Sequence, residues 1–108
     1  MSRWQKPDTW RGPAEVWFEG VKVADVTASL TAYREGLIGW EGTLEGMTET
    51  DQNRALGELE LRLGKRNLVG QQRNLVGQQL ELRLSNGRTA TAVLEDGTSV
   101  EGLGSPPF

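Results

Sequence analysis

"LELRLSNGRTATAVLEDGTSVEGL", residues 80–103, decides the fold class of this chain. Leu80, Leu82 and Leu84 alternate with Glu81 and Arg83, so apolar and charged side chains fall on opposite faces of an extended segment. Asn86-Gly87 then predicts a two-residue hairpin turn leading into Thr89–Leu94, and Asp96-Gly97 predicts a second leading into Ser99–Leu103. Three strands joined by tight turns make an antiparallel meander.

The same alternation recurs upstream. Glu58-Leu59-Glu60-Leu61-Arg62-Leu63 reads as a further strand with leucine inward and charge outward. Near the start, Ala14, Val16 and Phe18 alternate with Glu15, Trp17 and Glu19, and Glu19-Gly20 reads as a turn. Beyond it Val21 and Val23 share one parity while Val26, Ala28, Leu30 and Ala32 share the other. A bulge near Ala24-Asp25 is therefore needed to reset the register. Leu37–Gly46 reads as a curved strand in which Gly39 and Gly42 make room for the bulky Trp40. Thr48-Glu49-Thr50-Asp51 has the form of a capping box, so Gln52–Leu56 is either one or two helical turns or a loop. Together these segments predict an all-β domain, a small antiparallel barrel or rolled sheet of about six strands with room for one short helix. Residues 1–13 read as an N-terminal arm and 14–108 as a single domain.

With 108 residues the chain supports one hydrophobic core. It contains neither cysteine nor histidine. Disulfides, thiolate nucleophiles, soft metal sites and the commonest general base near neutral pH are thereby excluded. A net charge of −3 argues against nucleic acid as the main partner. No apolar run is long enough to cross a bilayer, and the first residues lack the apolar segment of a secretory signal. A cytoplasmic location is the expectation. No glycine-rich segment has phosphate-binding form, and no compact metal-ligand loop is present, so no cofactor is expected. Lys65, Arg66 and Arg73, with Arg54 and Arg62 nearby, read as a solvated basic loop, and Glu15, Glu19, Glu41 and Glu45 as a solvated polar face.

Residues 66–79 contain the heptad RNLVGQQ twice without a change, which reads as a tandem duplication. In a strand an odd repeat would turn Leu75 to the face opposite Leu68. In a helix the two copies would return to within about 20° of one face, at about 1 kcal/mol for each internal glycine. In a loop, doubling the length costs only about 0.6 kcal/mol. A loop or extended hairpin is the favoured reading and a short helix its competitor. An extended hairpin would present Leu68, Val69, Leu75 and Val76 as a contact between copies of the chain.

Three separated pieces add a resemblance. They are Trp10-Arg11-Gly12-Pro13-Ala14-Glu15-Val16, Gly39-Trp40-Glu41-Gly42-Thr43-Leu44, and the C-terminal third with Gly87-Arg88, Glu95-Asp96 and the ending Val100 to Phe108. On these segments the chain resembles the DUF4873 type of small bacterial domain, seen mainly in actinobacteria, alone or appended to flavin-dependent monooxygenases. No activity is established for that type, so the resemblance implies an accessory module and not an enzyme.

Four tryptophans are many for this length. Trp40 shares the apolar parity of its strand and reads as core, whereas Trp17 lies among glutamates and reads either as cover for a barrel end or as a contact surface. Trp10, Trp17 and Trp40 are the candidate contact residues. The expected function is that of a non-catalytic interaction or accessory module whose partner is another protein or a second copy of the chain. The alternative is a small barrel that holds an apolar or aromatic molecule near Trp17 and Trp40.

Overall fold

The computed structural model describes residues 8–33, 39–63, 74–104 and 106–108. Six strands, β1 (Asp8–Phe18), β2 (Val21–Tyr33), β3 (Gly39–Glu45), β4 (Gln79–Leu84), β5 (Thr89–Leu94) and β6 (Ser99–Leu103), are joined by one helix, α1 (Glu49–Leu63), between β3 and β4. Every neighbouring pair is antiparallel, and the sheet closes on itself in the order β1-β2-β3-β6-β5-β4. The chain is thus the small all-β barrel with a short helix that the alternation predicts. Asp8–Pro13 of the segment read as an arm is barrel wall, because β1 starts at Asp8.

The inward parity carries Ala14, Val16 and Phe18 of β1, Leu80, Leu82 and Leu84 of β4, Ala92 and Leu94 of β5, and Val100 of β6, all buried. In β2 the parity changes where predicted. Val16 pairs with Ala24 but Trp17 pairs with Lys22, so Val23 is an extra residue in β2, and both Val23 and Val26 face the core. Glu19 and Gly20 have φ of 50° and 84°, the left-handed pair that a two-residue turn between right-twisted strands requires. Pro13 sits where β4 runs out, and its carbonyl still accepts the Ser85 N–H at 3.0 Å. Its missing N–H therefore breaks no ladder of a central strand.

Three expectations are corrected. Glu58–Leu63 is not a strand: it forms the second half of α1. The Thr48 hydroxyl accepts the Asp51 N–H at 3.1 Å while the Asp51 carboxylate accepts the Thr48 N–H at 3.0 Å, a closed capping box. From that start the helical period buries Gln52, Ala55, Leu56 and Leu59, and Glu58 draws Arg54 and Arg62 from one turn on either side. The period-2 pattern loses because Leu61 finds nothing to cover it and stays 84% exposed.

Both C-terminal hairpins have three-residue loops, not two. Leu84 N–H bonds Arg88 O and Gly87 N–H bonds Leu84 O, with Gly87 at φ 91° and Asn86 outside the left-handed region. This is a type I turn followed by a left-handed glycine. Asn86 is drawn from the mirror-image turn by two side-chain bonds, one accepting the Arg88 N–H and one donating to Pro107 O. In the next loop Glu95 N–H bonds Ser99 O, and the Asp96 carboxylate accepts the N–H groups of Thr98 and Ser99, both at 2.8 Å. These bonds hold its carboxyl below the usual carboxylate range.

The glycine that admits Trp40 is also a different one. A Cβ on Gly39 would meet open space, whereas a Cβ on Gly102 of the neighbouring strand β6 would overlap the Trp40 indole. Gly42 meets β2 instead, where a Cβ would strike the Ser29 carbonyl and the Leu30 side chain.

Helix α1 leaves the end of β3 and covers one end of the barrel, with Met47, Ala55, Leu56 and Leu59 in the same cluster as Phe18, Val21 and Val23. Leu75 completes this layer. It is fully buried, and its N–H is held by the buried Gln52 side chain at 2.9 Å. At the other end Trp10, Trp40 and Phe108 pack with the core, and Pro107 is tied to Asn86.

Candidate functional site: a groove between the helix and the first hairpin

Trp17 follows the outward parity of β1 and is half-buried. Its indole N–H donates to Glu15 Oε1 at 2.9 Å, and the Arg83 guanidinium of β4 lies 3.8 Å from the ring centroid. Arg83 pairs with Glu15 across the β1–β4 ladder, so the guanidinium reaches the ring diagonally. Arg83 is in turn held by Glu81 Oε2 at 3.0 Å. A ring fixed by a hydrogen bond on its edge and a cation on its face loses little freedom when something else packs on it.

Beside Trp17 a groove of about 570 Å³ runs between α1 and the β1–β2 hairpin. Its floor includes Val23 and Ala24, the residues of the bulge. One wall is Lys22 and Asp25; the other is the helix row Asp51, Arg54, Glu58 and Arg62. Those spacings of three and four residues place the row on one helix face with charges alternating in sign. Arg54 ties the walls together, donating through Nη2 to the Val23 carbonyl at 2.6 Å, a group the bulge turns away from the ladder. Lys22 lies 2.9 Å from Asp25 and 3.6 Å from Glu15, and its hydrogen bond to Asp25 raises its pKa. The capping bond from the Thr48 backbone lowers that of Asp51. Each cation of the groove thus faces a carboxylate, and since exposed pairs are worth roughly 0–1 kcal/mol, exchanging them for a partner's charges costs little.

The candidate residues do not converge on one site. Trp17 lines the groove, Trp40 is core at 2% exposure, and Trp10 is half-buried at the opposite barrel end. Leu75 is likewise a core residue and not an outward contact, whereas Val76 is 42% exposed. Leu68 and Val69, with Lys65, Arg66 and Arg73, lie outside the described residues. Asp51, Arg54, Glu58 and Arg62 were missed as a unit because a strand reading of Glu58–Leu63 separates them; their own three- and four-residue spacing was the signal.

Among the described residues no group of three or more carboxylates is arranged to hold a metal ion. None of their helices is long and apolar enough to cross a membrane. Comparison with family models, with curated proteins and with solved structures gave no match.

Proposed function

We propose that the protein is a non-catalytic interaction module that takes a segment of a partner protein into the groove between α1 and the β1–β2 hairpin. The observation that carries this reading is Trp17. It is a large aromatic on the outer face of a barrel, fixed by Glu15 and Arg83 and set at the rim of a groove lined by solvent-exposed ion pairs. Aromatic anchors surrounded by such polar rims are the usual centres of protein interfaces. The interior supports the same reading: Leu30, Leu44, Leu80, Leu82 and Leu94 fill a small barrel with its own side chains, which leaves the outer surface to bind.

The test compares the chain with its Trp17→Ala variant in crosslinking capture from the source cells, with circular dichroism to verify the fold. Loss of a specific crosslinked partner from a folded variant is the expected result. A partner set unchanged by the substitution, or a small molecule retained by the native protein in mass spectrometry, refutes the reading. Self-association belongs to the same proposal, with a concentration-dependent mass abolished by Trp17→Ala as its signature.

A further inference from the structure

The barrel is closed by β3 and β6, strands far apart in sequence, and their ladder is the shortest in the sheet, with β1–β4 and β5–β6 only slightly longer. Ladder pairing runs only from Glu41–Thr43 against Ser99–Glu101, with one further bond from Leu44 N–H to Thr98 O at 2.8 Å. By contrast, β1 pairs with β2 along its whole length and β2 with β3 along all of β3. Inside the seam Gly42 contributes no side chain to the core and Gly102 contributes none beneath Trp40.

The outer face adds repulsion. Glu41 and Glu101 are direct cross-strand partners. Because the Leu44–Thr98 bond places the ladder bonds on every second pair, Gly42–Val100 is a hydrogen-bonded pair and Glu41–Glu101 a non-bonded one, the type in which side chains stand closest. Glu95 and Asp96 follow in the adjoining turn. Desolvation first, then Glu101, Glu41 and Asp96, push the Glu95 carboxyl above its usual value. From β2 the Tyr33 hydroxyl donates to Glu41 at 2.9 Å, and from β5 the residue opposite Glu101 is the uncharged Val93. Among the described residues no lysine or arginine forms an ion pair with any of these acids; the nearest ion pair on this wall joins Arg11 to Glu45 at 3.6 Å. Like charges in direct opposition destabilise a strand pair.

We infer that the β3–β6 seam is a charge-gated opening of the barrel: repulsion between the opposed Glu41 and Glu101 makes it the first ladder to part, and removing or screening that charge holds it shut. Opening frees the ladder edges of both strands while the other five ladders, β1–β4 included, hold the chain as one open six-stranded sheet. The device rests on the register and stands apart from the groove.

The sign of the pH dependence follows from Glu95, whose carboxyl is held above its usual value by desolvation and by the neighbouring acids. A folded-state pKa above the unfolded value means that stability is fully present below the unfolded value and is lost as pH rises through the folded one. The seam therefore tightens on acidification from neutral towards the carboxylate range.

Native-state hydrogen exchange on the full chain tests this, with protection factors corrected for intrinsic rates. At pH 7 and low salt, the amides of Gly42, Leu44 and Val100 are expected to be less protected than those of the β1–β2 ladder. Glu101→Gln should raise seam protection about two- to five-fold, the range for relief of one cross-strand charge pair, and Glu81→Gln, on the opposite wall, should leave it unchanged. Adding salt should reproduce the Glu101→Gln effect in the parent chain. Seam protection equal to that of β1–β2, or insensitive to both Glu101→Gln and salt, overturns the inference.

Discussion

Gly102→Ala offers a sharp test of how the barrel interior is packed. A Cβ at this position would overlap three atoms of the Trp40 indole, and Trp40 has nowhere to retreat because it is 2% exposed and paired with the buried Ala32 on β2. Overpacking a rigid core costs typically 1–3 kcal/mol. The upper end is expected here, about 3 kcal/mol, since the obstacle is a ring wedged between strands and not the tip of a flexible side chain. For a domain of this size that loss lowers Tm by roughly 12–24 °C, at about 4–8 °C per kcal/mol. Urea unfolding followed by tryptophan fluorescence and circular dichroism measures it. A double-mutant cycle isolates the cause: Trp40→Phe creates a void beside Gly102, so in its background Gly102→Ala should cost at least about 1.5 kcal/mol less than alone. A cost below about 0.5 kcal/mol for Gly102→Ala, or strict additivity with Trp40→Phe, would refute the packing of Trp40 against β6.

Four further outcomes follow from the same structure. Leu75→Ala should cost about 2–5 kcal/mol because the side chain is fully buried, while Leu61→Ser should stay within about 0.5 kcal/mol; denaturant midpoints measure both, and a core-sized loss at Leu61 would mean a strand over Glu58–Leu63. Deleting Arg66–Gln72 or Arg73–Gln79 yields the same shortened chain, with RNLVGQQ still leading into β4. Its circular dichroism should match the parent and its stability differ by about 1 kcal/mol, the loop-entropy scale, whereas loss of the fold would show that both copies are structural. Arg83→Ala should red-shift the Trp17 emission component, isolated as the difference from the same chain carrying Trp17→Phe, while lowering stability by about 0.5–1 kcal/mol. For Asp51, whose carboxyl is held low by the Thr48 backbone, the stabilisation is present above the unfolded carboxylate pKa and disappears as pH falls through the folded value. Asp51→Asn should therefore lower the thermal midpoint at pH 7 and leave it unchanged near pH 2.

The strands were legible wherever one face met the core and the other met water. Leu80-Glu81-Leu82-Arg83-Leu84 and Ala14–Phe18 show this, and even the bulge in β2 was visible as the parity change between Val23 and Val26. Glu58–Leu63 was misread because Leu59 and Leu61 satisfy a strand period while Leu59 also satisfies a helical one with Ala55 and Leu56. Only a capping box three turns earlier, an interaction local in structure but distant in the pattern, decides between them. The loops were misjudged for a related reason. Asn86-Gly87 and Asp96-Gly97 suit two-residue turns by propensity, but Asn86 also binds Pro107, and Asp96 captures two backbone N–H groups. Of the candidate site, the outward setting of Trp17 was legible from its own strand. Its contact with Arg83 was not, since that depends on the β1–β4 register, and no local pattern encodes the pairing of strands so far apart in sequence.

Closure of the sheet is the claim on which the groove, the filled interior and the gated seam all depend, and nuclear Overhauser effects between α-protons test it most directly. In a closed barrel the non-bonded pairs Glu41–Glu101 and Thr43–Ser99 bring their α-protons together, and strong cross-peaks are expected for both. Their absence from a folded sample, with the β2–β3 and β5–β6 cross-peaks present, would mean an open sheet and would contradict the account.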